Sequence, residues 1–237
     1  MTTMNKEFNF LLKDMGKCLK CMNMHKGSKD CSLVNIYKNI DFAKSIPSIW
    51  TDWLNRLDAE IMIIGQDWGP FQDMVMLNKS YINNHNWQEL MNSEKSLTKK
   101  MLYNYLLASA KLYGKVIDEE YINKIYITNA IMCARQGHNY RGDNIKLKEC
   151  TLNCSEFLKR QIDIVKPKVI LTLGYYPLLS LAKIYGFDIP NNLRDIVKDK
   201  DLIKIDKMVI IPAFHPTAQI KKEVQLEQYS KIWKYVD

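Results

Sequence analysis

Three polar groups follow or interrupt apolar runs in this chain, and a pair of cysteines sits at metal-ligand spacing. Ile61 to Pro70 reads IMIIGQDWGP: four apolar residues, then Gly65, then the amide of Gln66 and the carboxylate of Asp67. Ile125 to Ile131 reads IYITNAI, with Thr128 and Asn129 inside the run, and the strand-like Met208 to Ile211 leads into Phe214-His215-Pro216. A carboxylate can orient water, a primary amide can match the donor and acceptor edge of a planar ligand, and an imidazole can donate or accept a proton near neutral pH. Taken singly, each has a plainer use: Asp67 as a helix cap, Asn129 as support for a loop, His215 as a satisfied structural histidine. Their shared place at strand ends is what points to chemistry. Cys18-Leu19-Lys20-Cys21 has the short spacing that lets two thiolates reach one metal centre.

The elements that must position these groups alternate between strand and helix. Ile61 to Ile64, Ile125 to Ile131, Val169 to Leu173 and Met208 to Ile211 are short apolar runs that suit strands buried on both faces. Between them the spacing predicts helices over Ile49 to Leu57, Leu97 to Tyr113, Leu147 to Lys166, Pro177 to Gly186 and Ala218 to Val236. Phe71 to Lys95 is irregular and reads as a long loop or short helices over the strand ends. This alternation predicts an α/β fold, a three-layer α/β/α sandwich with a central four-stranded parallel sheet. In such sheets ligands bind beyond the carboxyl ends of the strands, where Asp67, Asn129 and His215 fall.

With 237 residues and 47% hydrophobic content, a single domain over 1–237 is expected, including a polar N-terminal arm of about 45 residues that needs something to hold it. The 34 Lys plus Arg exceed the 26 Asp plus Glu, giving a formal charge of +8 that favours polyanionic partners, nucleic acid being the commonest. Arg135, His138 and Arg141, in a polar stretch near the site, are candidate phosphate contacts. No apolar run has the length of a membrane span, no secretory leader is evident, and no GxGxxG phosphate loop is present, so neither a membrane nor a nucleotide cofactor is expected. A cytoplasmic monomer is the expectation. In a reducing compartment the six cysteines read as candidate ligands rather than disulfides.

Five motifs, in order, resemble those of the uracil-DNA glycosylase superfamily. They are Gly65-Gln66-Asp67-Trp68-Gly69, Ile127-Thr128-Asn129-Ala130-Ile131-Met132-Cys133, Cys154 to Ile162, Leu171-Thr172-Leu173-Gly174 and His215-Pro216-Thr217-Ala218. The pattern is nearest to the iron-sulfur branch, family 4. The first motif departs from it: Asp67 falls where family-1 enzymes keep the Asp that positions water, whereas family 4 usually has Ala there and Glu one place earlier, where this chain has Gln66. The Gly-Arg-Pro-Phe segment that carries the base-stacking Phe is absent, and Tyr81 lies near that spacing.

The resemblance implies a monofunctional glycosylase acting on a uracil flipped out of DNA. Asp67 would orient water, His215 would stabilise the departing base as a neutral imidazole, and Gly65, Gln66, Asn129 and Tyr81 would bind the base. It implies that Cys18, Cys21, Cys133 and Cys154 hold a 4Fe-4S cluster, with zinc as the alternative for four thiolates. Cys150, one helical turn before Cys154, could replace it, and Cys31 has no evident partner. Ile220 reads as core or as a wedge between bases. Alternatives are an iron-sulfur nucleic-acid-binding protein that has lost catalysis, a glycosylase for another deaminated base, and a zinc enzyme acting on a small nucleotide.

Overall fold

A computed structural model describes residues 3–21, 33–39, 56–75, 96–118, 121, 124–136, 146–199 and 202–236. Tyr81, Cys31, His138, Arg141 and most of the helix expected over Ile49 to Leu57 lie outside the described residues. In chain order the elements are α1 (Thr3–Lys17), β1 (Leu33–Val34), β2 (Ile61–Gly65), α2 (Leu97–Lys111), β3 (Ile125–Asn129), β4 (Ala134–Arg135), α3 (Leu147–Val165), β5 (Val169–Leu173), α4 (Tyr175–Tyr185), α5 (Leu193–Asp199), β6 (Ile203–Ile205), β7 (Met208–Ala213) and α6 (Lys222–Ser230).

The four expected strands pair in parallel in the order β3-β2-β5-β7. Their residues are almost all buried, as strands covered on both faces must be. The sheet has a fifth strand, where four were expected. The alternating Ile203-Lys204-Ile205 turns at Asp206-Lys207 and pairs antiparallel with β7, Ile205 opposite Met208. Asp206 takes a left-handed φ of 51°, a conformation that Asp tolerates better than most side chains and that two-residue hairpins need.

Pleating sends successive side chains to opposite faces, and each face has its own core. Met62, Ile64, Tyr126, Ile170 and Ile210 pack under α1, α3, α4 and Ile196 of α5. Ile61, Ile63, Ile125, Val169, Leu171 and Ile211 pack under Leu102, Tyr105 and Leu106 of α2 and under Tyr229, Ile232 and Trp233 near the C-terminus. Full burial of one such Ile contributes about 1.5–3 kcal/mol.

Local sequence explains where the helices differ from expectation. α4 begins at Tyr175, two residues before Pro177, because the amides of a helix's first turn have no intrahelical partner and Pro is tolerated there. It stops at Gly186, whose φ is 72°. The C-terminal helix is shorter than expected: α6 begins at Lys222, a 3-10 turn over Lys231–Lys234 follows it, and Ala218 to Ile220 are bends beyond His215. Ile220 is half-buried and lies outside both cores. Residues 71–75, in the stretch read as a long loop or short helices, are helical. In the N-terminal segment, Phe8, Leu11, Leu12 and Met15 recur at helical spacing and bury one side of α1. Among the described residues no helix is long and apolar enough to cross a membrane.

One polar chain crosses the first core. The Tyr126 hydroxyl donates to Gln161 Oε1 at 2.8 Å, and Gln161 Nε2 donates to Met132 Sδ at 3.3 Å, just before Cys133. Tyr126→Phe would leave a buried carbonyl without its donor, and urea unfolding should report a loss of about 1–3 kcal/mol. A loss under roughly 0.5 kcal/mol would show that the hydroxyl is dispensable.

Candidate active site

The carboxyl ends of β2, β3 and β7 bring Asp67, Asn129 and His215 to one side of the sheet. Gly65 and Asn129 are directly paired at the ends of β2 and β3. A Cβ at position 65 would stand 2.5 Å from Asn129 Oδ1, so only glycine lets that amide lie against the strand. Past the strands the two segments remain joined: Ala130 N–H donates to Gly65 O at 2.8 Å, Ile131 N–H to Gln66 O at 2.8 Å and Arg135 N–H to Gly69 O at 2.9 Å. Asn129 is buried, and its side chain makes no hydrogen bond to the described residues, which leaves its amide open to a ligand.

Asp67 is held by three donors. Gly69 N–H reaches Oδ1 at 2.8 Å, Gln66 Nε2 reaches Oδ2 at 2.9 Å, and Arg135 Nη2 reaches Oδ2 at 2.6 Å. The ion pair is dry, with side-chain exposures of 7% for Arg135 and 8% for Asp67. Arg135, read from sequence as a phosphate contact, is therefore buried against a carboxylate instead. Its sequence context carried no sign of this, since the pairing spans 68 positions.

His215 sits in the turn that follows β7. Thr217 N–H points at Nδ1 at 3.4 Å and the Thr217 hydroxyl lies 2.9 Å from the same nitrogen. An Nδ1 that accepts from the Thr217 amide carries no proton, and that contact favours the neutral tautomer with its proton on Nε2. Burial pushes the imidazole below its ordinary value of 6.5, and the Asp67 carboxylate opposes this without reversing it. The ring is neutral at pH 7. Beneath it, Gln225 Nε2 donates to His215 O at 2.8 Å, and Tyr105 of α2 donates to Gln225 Oε1 at 2.5 Å. Gln228 Oε1 accepts from Phe214 N–H at 3.0 Å. Sequence reasoning missed Thr217 as the tautomer lock and these glutamines; the polar positions facing inward on α6 are the signal that was available.

Cys18 and Cys21 follow α1, Cys133 lies between β3 and β4, and Cys150 and Cys154 are one turn apart on α3. Asn35 fixes the first pair by donating to the carbonyls of Met15 and Cys18 at 2.8 and 2.9 Å. Cys21 Sγ accepts hydrogen bonds from the thiols of Cys150 and Cys154, and Asn153 Nδ2 lies 3.6 Å from it. These donors hold the Cys21 thiol down to about 3. Burial pushes Cys133 up to about 12, with the charges of Cys21 and Cys18 adding to the effect. Cys150 and Cys154 thus turn their thiols to Cys21, and Cys133 lies near enough to feel the charges of Cys21 and Cys18. Among the described residues no group of three or more His, Cys, Asp or Glu side chains is arranged to hold a metal ion.

A family model described as "Uracil DNA glycosylase superfamily" matches residues 51–237. The chain is also 26% identical over 117 residues to the Type-4 uracil-DNA glycosylase of Sulfurisphaera tokodaii, a match that covers 46% of this chain and 50% of that relative. The chain thus spans about half the length of the curated relative that it matches.

The depressed His215 value has a consequence for stability. Below pH 6.5 the unfolded chain binds a proton that the folded imidazole resists, so this group's contribution is intact above 6.5 and falls as pH drops toward the folded value. Urea midpoints of the wild type and His215→Gln, compared from pH 7.5 down to about pH 5, should therefore converge on acidification. Curves that stay parallel would show that burial does not disfavour the charged ring.

Proposed function

Because the chain belongs to the uracil-DNA glycosylase superfamily, we propose that it is a monofunctional DNA glycosylase, hydrolysing the N-glycosidic bond of uracil flipped out of DNA. The observation that carries this reading is the unpartnered Asn129 amide lying against Gly65, with Asp67 two residues past that glycine and His215 near enough for the Asp67 charge to act on its ring.

The Asn129 amide matches the uracil edge, accepting from the ring N–H and donating to a carbonyl, whereas cytosine presents the wrong pattern. Water held by Asp67 attacks C1′ as the C1′–N1 bond breaks; the bonding pair leaves with the base and the water's proton passes to the carboxylate or to solvent. His215 donates Nε2–H to a base oxygen, where negative charge develops, and Asp67 faces the positive sugar. Gly65 and Gln66 line the base site, and Tyr81 is the proposed stacking partner. Exposed Lys221 and Lys222, beyond the His215 turn, are placed to meet phosphate.

The sulfur cluster of side chains belongs to the same proposal. An all-thiol donor set from three separate segments suits an iron-sulfur cluster, and zinc is the alternative. Cys18, Cys21, Cys133 and Cys154 would hold it, with Cys150 beside them on α3. The group would supply a structural tie between α1, the β3–β4 link and α3, and take no part in bond cleavage.

A second reading, a DNA-binding protein of this fold without catalysis, is favoured by one observation: Arg135 neutralises much of the negative pole that Asp67 would provide. Labelled oligonucleotides carrying uracil, hypoxanthine or thymine opposite guanine separate the two. The wild type should excise uracil, and Asp67→Asn should lower single-turnover excision by about 100-fold or more. Asn129→Asp should change base choice, since it loses the donor. Absence of excision by the wild type would leave the binding reading standing. For the metal, anaerobically purified protein should be brown with iron and sulfide in equal amounts; stoichiometric zinc in colourless protein would replace iron, and the absence of both would remove the site.

A further inference from the structure

We propose that Arg135 is the positioning residue for the Asp67 carboxylate, an inference that rests on the reading of Asp67 as the group that orients water. The contact is unlike a surface ion pair. Its 2.6 Å length and the exposures of 7% and 8% place a charge-assisted hydrogen bond where solvent does not compete. The two oxygens of Asp67 are treated differently. Oδ2 takes both Arg135 Nη2 and Gln66 Nε2, whereas Oδ1 takes only Gly69 N–H. An ionised carboxylate has about four acceptor positions, so the open one lies on Oδ1, which becomes the atom that holds the attacking water.

The backbone delivers the guanidinium to this place. Arg135 donates its N–H to Gly69 O at 2.9 Å, and Leu33 of β1 pairs with it from the other side. The side chain thus leaves a backbone fixed on both edges and meets a carboxylate whose own loop, 67–70, is held by the same residue through the bridge from Pro70. A cation here offsets part of the negative field of Asp67. It suits a carboxylate whose main task is alignment of water, since well-aligned reactants gain more than modest changes in base strength supply.

The sign of the effect separates this role from two others. A positioning Arg135 makes its removal slow excision; an Arg135 that masks Asp67 makes its removal speed excision; and an Arg135 that contacts phosphate makes its removal weaken DNA binding equally with or without Asp67. The full-length protein is compared as wild type, Arg135→Met, Arg135→Lys, Asp67→Asn and the Arg135→Met/Asp67→Asn double variant. Readouts are single-turnover uracil excision at saturating enzyme, DNA affinity by anisotropy and melting temperature. Arg135→Met should lower excision by about 10- to 100-fold with DNA affinity unchanged, and should cause no further loss in the Asp67→Asn background. Arg135→Lys should recover part of the rate, keeping the charge without the planar fork.

An excision rate in Arg135→Met at or above wild type, a loss that appears only in affinity, or an equal loss in the Asp67→Asn background would each overturn the proposal. Should Arg135→Met fail to fold, Arg135→Gln is judged by the same criteria. Melting temperatures test the pair without reference to catalysis: the double variant should lose little more than the larger single loss, and additive losses would show that the two side chains do not interact. A wild type that excises nothing while its losses remain non-additive would remove the glycosylase reading, and with it Arg135's catalytic role, but leave the ion pair.

Discussion

Parallel pairing of β2 with β3, in the register that sets Gly65 opposite Asn129, decides where every group of the site can stand. The Asn129 amide oxygen occupies the space that a Cβ on residue 65 would take, so the pairing and the glycine are one constraint. A slip of one residue would turn Asn129 to the other face of the sheet and break the bonds from Ala130 and Ile131 to the carbonyls of Gly65 and Gln66. Those bonds, with Arg135 N–H on Gly69 O, fold the segment after β2 onto the segment after β3 and carry the guanidinium to Asp67. β5 stands between β2 and β7, and β7 delivers His215 to the same edge.

Two charged or chargeable groups with opposite requirements share this edge. The Asp67 carboxylate is held in a nearly dry position by Arg135, Gln66 and Gly69, and removing such a partner from a buried pair typically costs about 3–5 kcal/mol. His215 favours its neutral form because burial outweighs the pull of the Asp67 charge, and the Thr217 amide favours the tautomer with its proton on Nε2. The pair thus sets a carboxylate near a neutral imidazole, the polarity on which the proposed cleavage of a base from a sugar rests. The supports for the histidine come from α2 and α6 through Tyr105 and Gln225, so the second core, on the far face from α3, holds the His215 turn.

How much of this was legible in the sequence depends on the length of each signal. The parallel strands were legible because short apolar runs, three of them closed by Gly or Pro, have few other uses, and α3 and α4 because Pro167 and Gly186 punctuate them. β6 was not, since three residues with two half-buried isoleucines fall below any pattern that separates strand from turn. α1 was hidden by its Lys, Asn and Met content, although Phe8, Leu11, Leu12 and Met15 carry the helical period. Residue types at strand ends singled out Asp67, Asn129 and His215 as candidates, and their shared edge was legible because those positions converge in any parallel sheet. The partner of Asp67 was not legible: a buried Arg in a polar stretch looks like a solvated one until the tertiary contact is seen. The same holds for the cysteines, whose gathering around Cys21 depends on how α1 docks against α3.

The central claim is that Gly65, Asn129 and His215 form one recognition surface for a uracil ring. Free uracil titrated into isotope-labelled protein and followed by nuclear magnetic resonance tests this without any chemical step. The Asn129 side-chain amide, the His215 Nε2–H and the backbone amides of Gly65 and Gln66 should shift together along a single saturation curve, and cytosine should leave them in place. Shifts confined to other surfaces, or Asn129 and His215 responding at different concentrations, would contradict the account.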